Sequence, residues 1–404
     1  MKRALLLVLD GLGIGAMDDV ADSRPQDLPA NTLQRILQFK PSLVIPTLTQ
    51  MGLLKSLSRE VLPSTATNAS WGWCDLAYEG ADSYLGHQEI MGTIPLPPQK
   101  ILLRQKSCEL EQLLVNNGYQ VTRPLAGKPI LCINDVIIIG DNLEADAGQN
   151  INLTVVTDQI DFSDAVAIGR IVRANVTNSR VIVFGGPGLT LPKILAHVEE
   201  RSNGQIGINS PALGVYDENL LVKHLGYGVI PENQSASIFS QHGLTVFLDG
   251  KMADLIEDEK AIRAPIVETK ALLACIKEQF TGMSDGMIAA TVQETDLAAH
   301  GGNVEKCARL LEMVDIFLND FLSCMLPEDL LMITADHGND PGLKTGLHTR
   351  EATPLLVFSP QFLPICLRRR ASLSDISASL VRYFNLPKTQ DGQEFITGMK
   401  KRKI

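Results

Sequence analysis

The chain has 404 residues, of which 45% are hydrophobic and 20% are charged, so its composition is that of a folded protein and not of a disordered one. This length predicts two domains, because a single core rarely grows beyond about 300 residues. The net charge of −10 argues against nucleic acid or an anionic membrane surface as a partner. An anionic substrate would therefore need local cations or metal ions in order to bind.

The cysteines and the N-terminal segment predict a cytoplasmic protein. Seven cysteines are scattered along the chain without a CxxC pair, which indicates reduced thiols rather than a disulfide framework. The first apolar run covers only residues 4–9 and ends at Asp10, so we interpret it as a strand and not as an export signal. No stretch of about 18 apolar residues is present, which predicts that the chain does not span a membrane.

Short apolar runs alternate with amphipathic helical patterns, which predicts an α/β fold with a mainly parallel sheet flanked by helices. The predicted strands, in chain order, are 4–9, 129–139, 181–184, 245–248, 287–292, 330–334 and 354–358. The predicted helices are 31–39 with Asn31 as its N-cap, one beginning at Pro46, 108–116, 268–279, 304–324 and 373–384.

A change in composition near residue 95 predicts an inserted domain. The proline-rich stretch 95–98 is typical of a linker. We therefore divide the chain into a core formed by residues 1–94 and 216–404 and an inserted smaller α/β domain formed by residues 95–215. These boundaries rest on composition alone.

Residues 80–92, GADSYLGHQEIMG, combine glycines with the polar side chains of Asp82, Ser83, His87 and Glu89. Burying such groups without hydrogen-bond partners is costly. The segment is therefore either a surface turn or part of a functional site, and its residues alone do not decide between the two.

Three predicted strands lead into an aspartate at their carboxyl ends, namely Asp10, Asp296 and Asp336. In open α/β sheets, ligands bind at the carboxyl ends of the strands, so we expect these three acids to meet at one edge of the sheet. Three carboxylates at one place repel one another unless cations neutralise them.

Three of the seven histidines accompany these acids. His300 lies four residues after Asp296, His337 directly follows Asp336, and His348 follows one loop later. Carboxylates and imidazoles are ligands of first-row metals. A single catalytic zinc ion usually has about three protein ligands, and six such side chains are too many for it. They suit two divalent ions, with Mn²⁺ preferred and Zn²⁺ the alternative, unless they are a chance grouping of polar loop ends.

Residues 334–356, TADHGNDPGLKTGLHTREATPLL, resemble the metal-binding segment of phosphopentomutases, which belong to the alkaline-phosphatase-like metalloenzymes. The opening LDGLGIGAM (9–17), the polar segment 80–92 and FLDGKMADLI (247–256) are similar to further motifs of that family. The resemblance covers both ends of the chain and implies an alkaline-phosphatase-like core. Residues 95–215 would correspond to the cap domain of the family.

The resemblance also implies roles for single residues in moving phosphate within a small sugar phosphate. Lys251 would contact the substrate phosphate, and His87 and Glu89 would orient the segment that carries the nucleophile. The metal ligands would be Asp10, Asp336 and His337 for one ion and Asp296, His300 and His348 for the other. The substrate itself and the oligomeric state stay open.

One departure from the family concerns its nucleophile, a threonine directly before the Gly-His pair. This chain has Leu85 there, which has no oxygen to carry phosphate. Ser83 keeps a hydroxyl nearby and would act as the nucleophile if the segment shifts by two residues; otherwise it is a turn or cap residue. Three hypotheses follow: a mutase using Ser83, a two-metal phosphatase, phosphotransferase or phosphonate hydrolase of the same fold, and a metal-binding paralogue without mutase activity.

Overall fold

The computed structural model describes residues 2–59, 67–214, 220–343 and 345–402. The chain divides into two compact units: a core unit, Met1–Ile94 with Ile230–Ile404, and an inserted unit, Pro95–Val229. The inserted unit extends beyond the predicted boundary at residue 215. The reason is that a strand at Leu221–Gly226 pairs with Arg180–Gly185 inside that unit.

The secondary-structure elements are numbered in chain order. The strands are β1 (Arg3–Leu9), β2 (Ser70–Cys74), β3 (Val121–Thr122), β4 (Leu131–Ile133), β5 (Ile137–Asp141), β6 (Asn150–Val155), β7 (Arg180–Gly185), β8 (Val198–Glu200), β9 (Ile206–Ile208), β10 (Leu221–Gly226), β11 (Thr245–Gly250), β12 (Ile262–Ala264), β13 (Gly286–Val292), β14 (Leu330–Thr334), β15 (Thr353–Phe358) and β16 (Cys366–Arg370).

The α-helices are α1 (Val20–Ser23), α2 (Thr32–Phe39), α3 (Pro46–Met51), α4 (Leu53–Ser58), α5 (Ser83–Ile90), α6 (Leu103–Asn116), α7 (Phe162–Arg173), α8 (Leu191–Leu195), α9 (Ser210–Leu213), α10 (Ser235–Gln241), α11 (Lys251–Leu255), α12 (Thr269–Gly282), α13 (Glu294–His300), α14 (Val304–Ser323) and α15 (Ser374–Tyr383). Short 3₁₀ helices cover Pro25–Asp27, Pro231–Asn233 and Ile396–Gly398.

The core unit is built around a sheet that has eight strands in the described residues, in the order β12-β11-β13-β1-β14-β15-β2-β16. The five strands β12, β11, β13, β1 and β14 run parallel to one another. Strand β15 is antiparallel to β14 and β2, and β16 is parallel to β2. The predicted mainly parallel α/β sheet is therefore confirmed.

Strand β1 lies in the interior of this sheet because its sequence, RALLLVL, can be covered on both faces. Every residue of β1 is buried, and the guanidinium of Arg3 is compensated by an ion pair with Asp329 at 2.5 Å. The helices that cover the sheet follow the predicted pattern. Asn31 caps α2 by accepting a hydrogen bond from the Gln34 amide, and α14 buries one stripe of apolar side chains.

The inserted unit has its own sheet, with the order β10-β7-β6-β5-β4-β3, and a separate pair formed by β8 and β9. Most of its neighbouring strands are antiparallel, and β6 and β7 are parallel. Helices α6 and α7 bury Leu110, Leu114, Ile168 and Val172 against this sheet. The inserted unit is thus a smaller α/β unit with a hydrophobic core of its own.

The predicted strand at residues 129–139 is wrong. The chain forms a hairpin of β4 and β5 there, and Asp135 lies in the turn and not inside a strand. Asn134 and Asp135 have φ angles of 49° and 58°, which is the left-handed region that short polar side chains tolerate. The connection spans residues 134–136, because Ile133 pairs with Ile137, and the amide of Val136 donates to the carbonyl oxygen of Ile133 at 3.0 Å.

In the described residues, no helix has both the length and the apolar character that a membrane span requires. All seven cysteines are free thiols. Their free state agrees with the absence of a disulfide pattern in the sequence.

We expect Leu7→Ala in β1 to lower the free energy of unfolding of the core unit by about 2–5 kcal/mol, because Leu7 is fully buried and its truncation leaves a cavity. The fluorescence of Trp71 and Trp73, the only two tryptophans of the chain, reports on that unit during urea unfolding. Ile316→Ala is the control, since Ile316 is 68% exposed on α14. Equal losses for both variants would contradict the central position of β1.

Candidate metal centre

The three predicted aspartates meet at one edge of the core sheet. Asp10 directly follows β1, Asp336 comes two residues after β14, and Asp296 lies on α13 just after β13. These strands are neighbours in the order β13-β1-β14, so their carboxyl ends lie side by side. All three side chains are buried.

His337 joins the carboxylates of Asp10 and Asp336. Its Nε2 lies 3.1 Å from Oδ2 of Asp336 and 3.5 Å from Oδ1 of Asp10. Burial alone lowers the pKa of His337, but the neighbouring carboxylates, Asp336 first, outweigh burial and raise this pKa to about 9.

His300 and His348 surround the third carboxylate, that of Asp296. Asp296 and His300 are four residues apart on α13, which places them on the same face of the helix. Nε2 of His300 lies 3.2 Å from Oδ2 of Asp296, and Nε2 of His348 lies 3.5 Å from Oδ1. Burial raises the pKa of Asp296, but hydrogen bonds from His300 and His348 hold it well below its ordinary value.

A backbone carbonyl fixes the orientation of each of these imidazoles. Each ring directs Nδ1 at a carbonyl oxygen, in the pairs His300–Gly346, His337–Gly338 and His348–Ala81, at 2.8, 3.0 and 2.9 Å. Because a carbonyl oxygen only accepts, each Nδ1 carries a hydrogen, which leaves Nε2 as the ring nitrogen that can bind a cation once it has no proton. The Nε2 atoms of His300 and His348 are 3.0 Å apart.

The donor set fits divalent metal ions. Oδ1 of Asp10 and Nε2 of His337 are buried and have no hydrogen-bond partner among the described residues. Each such atom costs about 1–3 kcal/mol unless something else satisfies it, and a bound cation would satisfy both. Two groups in the described residues have donor atoms within 4.8 Å of one another: Asp10, Asp336 and His337, and Asp296, His337 and His348.

His337 belongs to both groups and His300 to neither, although His300 contacts Asp296 and His348. This differs from the division implied by the family resemblance, which assigns His300 to the second ion and His337 to the first alone. The six predicted side chains form one continuous cluster, and the geometry of the side chains alone does not split it into two separate sets.

The pKa values of Asp10 and Asp336 are shifted in opposite directions. Burial and the nearby charge of Asp336 raise the pKa of Asp10 well above its ordinary value, against the opposing effect of Lys251. Burial acts in the same direction on Asp336, but His337 and His87 outweigh it and hold the pKa of Asp336 well below its ordinary value. Asp336 is therefore the more firmly ionised of the pair.

Lys251 reaches into the cluster because of the glycine before it. Gly250 has φ 59° and ψ −137°, a backbone conformation that favours glycine, and a Cβ atom there would collide with the carbonyl oxygen of Thr291. Nζ of Lys251 lies 2.5 Å from Oδ2 of Asp10 and 3.7 Å from Oδ2 of Asp296. Its positive charge offsets part of the repulsion between these carboxylates.

Ser83 also faces the cluster, as the first residue of α5. Asp82 caps this helix by accepting a hydrogen bond from the Leu85 amide at 3.0 Å. The hydroxyl of Ser83 donates to Oδ2 of Asp336 at 2.7 Å and accepts from Nζ of Lys251 at 3.1 Å. The side chain of Leu85 belongs instead to the hydrophobic core. Residues 83–90 are thus a helix and not the surface turn that the sequence left open.

His87 lies beneath Ser83. Its Nδ1 is 2.8 Å from the carbonyl oxygen of Ser83 and 3.1 Å from Oδ2 of Asp336, and its Nε2 is 2.9 Å from Oγ1 of Thr291. The ring is fully buried. It connects the first turn of α5 to the carboxylate of Asp336 and to the end of β13.

Glu89, on the same helix, does not reach the cluster. Its carboxylate accepts hydrogen bonds from the amides of Ala77, Tyr78 and Leu373 and from the Ser372 hydroxyl. Burial raises its pKa to about 7, although these hydrogen bonds favour the ionised form. Glu89 therefore fixes the loop before α5 and does not orient any of the candidate metal ligands.

Sequence reasoning missed two polar groups around the cluster. Nδ2 of Asn339 donates to Oδ1 of Asp296 at 2.8 Å, and the hydroxyl of Tyr78 donates to the carbonyl oxygen of Asp336 at 3.0 Å. Asn339 lies within the TADHGND motif, so its position was a signal that could have been used. Tyr78 lies in a loop with no motif, and only the fold brings it to the site.

Comparison with known proteins identifies the family of the chain. The sequence profile of the Metalloenzyme superfamily matches residues 2–388. The phosphopentomutase of Symbiobacterium thermophilum is 28% identical over 424 residues, with 99% of each chain covered. That of Dictyoglomus thermophilum is 26% identical over 425 residues, with 98% of each chain covered. The resemblance to phosphopentomutases found in the motifs therefore extends over the whole chain.

Solved structures give weaker likenesses. A phosphoglycerate mutase of Leishmania mexicana aligns over 99% of this chain and 98% of its own, with 11% identity and a TM-score of 0.49. An alkaline phosphatase from the Antarctic bacterium TAB5 aligns over 96% and 98%, with 12% identity and a TM-score of 0.36. Neither score is high enough to support an argument, so the assignment rests on the sequence. Because the family profile spans nearly all of its residues, the chain belongs to the Metalloenzyme superfamily.

Proposed function

We propose that this protein is a phosphopentomutase-like enzyme that moves phosphate within a small sugar phosphate. The observation that carries the proposal is the Ser83 hydroxyl, which lies at the N-terminus of α5 and contacts both Asp336 and Lys251. The full-length similarity to phosphopentomutases supports the class of reaction. The free thiols support a cytoplasmic location, and the inserted unit would be the cap domain of the family.

Two divalent ions, with Mn²⁺ preferred and Zn²⁺ the alternative, fit the donor set. Following the family resemblance, the ligands would be Asp10, Asp336 and His337 for one ion and Asp296, His300 and His348 for the other. When bound, such ions supply positive charge for the oxygens of a transferring phosphoryl group and for the nucleophile.

Ser83 would be the residue that accepts the phosphoryl group. Its Oγ would form a bond to phosphorus while the bond from phosphorus to the sugar oxygen breaks, and the departing sugar oxygen would take up the proton that the Ser83 hydroxyl loses. Transfer to a second hydroxyl of the same sugar would return a proton to Oγ and regenerate Ser83. Asp336 accepts the hydrogen of the Ser83 hydroxyl and so orients a lone pair of Oγ. Lys251 would donate to a phosphate oxygen, and the N-terminus of α5 favours negative charge at the same place.

Leu85 favours a second candidate function. The position at which the family carries its threonine is filled by this apolar side chain, which packs in the core. If Ser83 does not carry phosphate, water would attack the ester instead, and the protein would be a phosphatase, a phosphotransferase or a phosphonate hydrolase with the same ligands. A metal-binding paralogue would show neither reaction.

Ser83→Ala should abolish a covalent phosphate on the protein and should lower the isomerisation of a pentose phosphate to background, because alanine has no acceptor oxygen. Intact-mass analysis and peptide mapping of the protein as purified measure the first effect. Ser83→Thr, which keeps a hydroxyl, should retain part of the label. A Ser83→Ala variant that still hydrolyses a generic phosphate ester with Mn²⁺ would favour the phosphatase instead.

Mn²⁺ should stabilise the protein against thermal unfolding, by about 2.7 kcal/mol when its concentration exceeds the dissociation constant a hundredfold. Asp10→Asn should remove most of this stabilisation, because it replaces a buried carboxylate ligand with a neutral amide. Differential scanning fluorimetry with and without Mn²⁺ measures the effect. His242→Asn changes an exposed histidine of the core unit and should leave the stabilisation intact. An Asp10→Asn variant that responds to Mn²⁺ like the parent would exclude Asp10 as a ligand.

The affinity for Mn²⁺ should rise with pH. His337 has a pKa of about 9, so it is protonated at neutral pH and must lose that proton before Nε2 can bind a cation. The affinity should therefore increase by up to about tenfold per pH unit at pH values below the pKa, as titrations between about pH 6.5 and 8.5 would show. His337→Gln should bind more weakly and with a flatter profile. A flat profile in the parent protein would contradict a ligand role for His337.

A further inference from the structure

The loop that leads from β2 into α5 is held by an unusual number of side-chain hydrogen bonds. We refer to residues 76–81 of this loop as the Tyr78 loop. It contains no regular secondary structure, so its backbone groups must find partners elsewhere. Ser83 follows this loop after one residue, Asp82, and the position of the loop therefore sets where the Ser83 hydroxyl lies.

Arg350 provides the partners for three carbonyl groups of the Tyr78 loop. Its Nη1 donates to the carbonyl oxygens of Tyr78 and Gly80 at 2.7 and 2.8 Å, and its Nη2 donates to that of Leu76 at 3.0 Å. Its Nε donates to the carboxylate of Asp19 at 2.9 Å. The side chain is 7% exposed, so these contacts are made largely out of water.

Only a guanidinium can make this set of contacts. The group is planar and offers N–H donors in several fixed directions, whereas a lysine ammonium is a single point charge with rotating donors. Lysine at position 350 would keep the positive charge near Asp19 but could not reach Leu76, Tyr78 and Gly80 together. The geometry of the loop therefore depends on the shape of the Arg350 side chain and not only on its charge.

The same chain segment supplies a member of the candidate metal centre. His348 comes two residues before Arg350, and its Nδ1 donates to the carbonyl oxygen of Ala81 at 2.9 Å. Between them, His348 and Arg350 donate to four carbonyl groups of the Tyr78 loop. The segment that carries a metal-type ligand thus also positions the segment that leads to Ser83.

The amide groups of the Tyr78 loop are held by a carboxylate, in contrast to its carbonyl groups, which are held by the guanidinium of Arg350. The buried carboxylate of Glu89 accepts hydrogen bonds from the amides of Ala77 and Tyr78 at 3.0 and 3.1 Å. Glu89 lies on α5, the helix that begins with Ser83. The loop is therefore fixed through its carbonyl groups to the segment of His348 and through its amides to the helix of Ser83.

We propose that Arg350 is a positioning residue for phosphoryl transfer, which acts by fixing the Tyr78 loop so that the Ser83 hydroxyl stays within reach of Asp336 and Lys251. This inference rests on the proposed function, in which Ser83 accepts the phosphoryl group. Arg350 donates its hydrogen bonds to backbone carbonyls and Asp19, and the reacting group is Ser83, so a loss of Arg350 affects the reaction through a displaced nucleophile.

Arg350→Lys tests the proposal in the full-length protein loaded with Mn²⁺. A displacement of the nucleophile of about 1 Å lowers the rate of a positioned reaction about 100-fold, so kcat and the rate of Ser83 phosphorylation should fall by that order. With Mn²⁺ kept at a saturating concentration, KM should change less than about threefold, since Lys251, the proposed phosphate contact, stays in place. Added guanidinium ion should restore part of the activity of Arg350→Ala, and methylammonium ion should not.

Arg3→Lys is the matched control. Arg3 is equally buried, at 6% exposure for each residue, and it makes a buried ion pair at the beginning of β1, the strand end remote from Asp10. It should lower the thermal stability without lowering kcat. If both variants lose activity only in proportion to their loss of folded protein, or if Arg350→Lys is as active as the parent, Arg350 has a structural role alone and the proposal is overturned.

Hydrogen exchange separates this inference from the proposed function. In Arg350→Lys, the amides of residues 76–86 should exchange faster while those of β1 and β14 keep their protection. Faster exchange confined to this segment supports the positioning role of Arg350. If the parent protein carries no phosphoserine, that finding rejects Ser83 as the nucleophile but leaves the positioning of the loop by Arg350 in place. Unchanged exchange in this segment would overturn the role of Arg350 whatever the chemistry of Ser83.

Discussion

The repulsion between three buried carboxylates is the constraint around which the core unit is arranged. Asp10, Asp296 and Asp336 lie at the ends of adjacent strands, where water cannot screen their charges. Burial of like charges is tolerated only when opposite charges and hydrogen bonds accompany them. The ammonium of Lys251 and three oriented imidazoles meet this requirement in part, and the unsatisfied atoms of the cluster mark where further positive charge belongs.

In the HTRE tetrapeptide at residues 348–351, each of four adjacent residues contacts a buried polar group in or near the cluster. His348 faces the carboxylate of Asp296, and Thr349 donates to the buried carboxylate of Glu351. Arg350 holds the Tyr78 loop, whereas Glu351 accepts from the amide of Gly15 and from both the amide and the hydroxyl of Thr32. One short segment thus fixes the loop after β1, the start of α2 and the loop before α5 at the same time.

Much of this site was predictable from the sequence, because its ligands follow apolar strands and the edge of a parallel sheet gathers strand ends. Asp10 and Asp336 are examples, since each follows a short apolar run that is typical of a buried strand. The helix at Ser83 was not predictable in this way, because its stripe of polar and glycine residues lacks the apolar period of an amphipathic helix. The hairpin at Asn134 was missed because apolar residues on both sides of a short turn were taken as one continuous strand. The contacts of Tyr78 and Arg350 depend on loops that meet only in three dimensions.

The place of β1 in the sheet has a consequence for how the protein is made. Arg3 pairs with Gly286 and Ala4 pairs with Leu330, so β1 leaves the ribosome long before the two strands that flank it in the sheet. Until then its apolar side chains have no native cover, and contacts so distant in sequence form slowly. A nascent chain with an exposed apolar strand is prone to aggregate, so β1 is a segment at risk of aggregation until β13 and β14 have been translated.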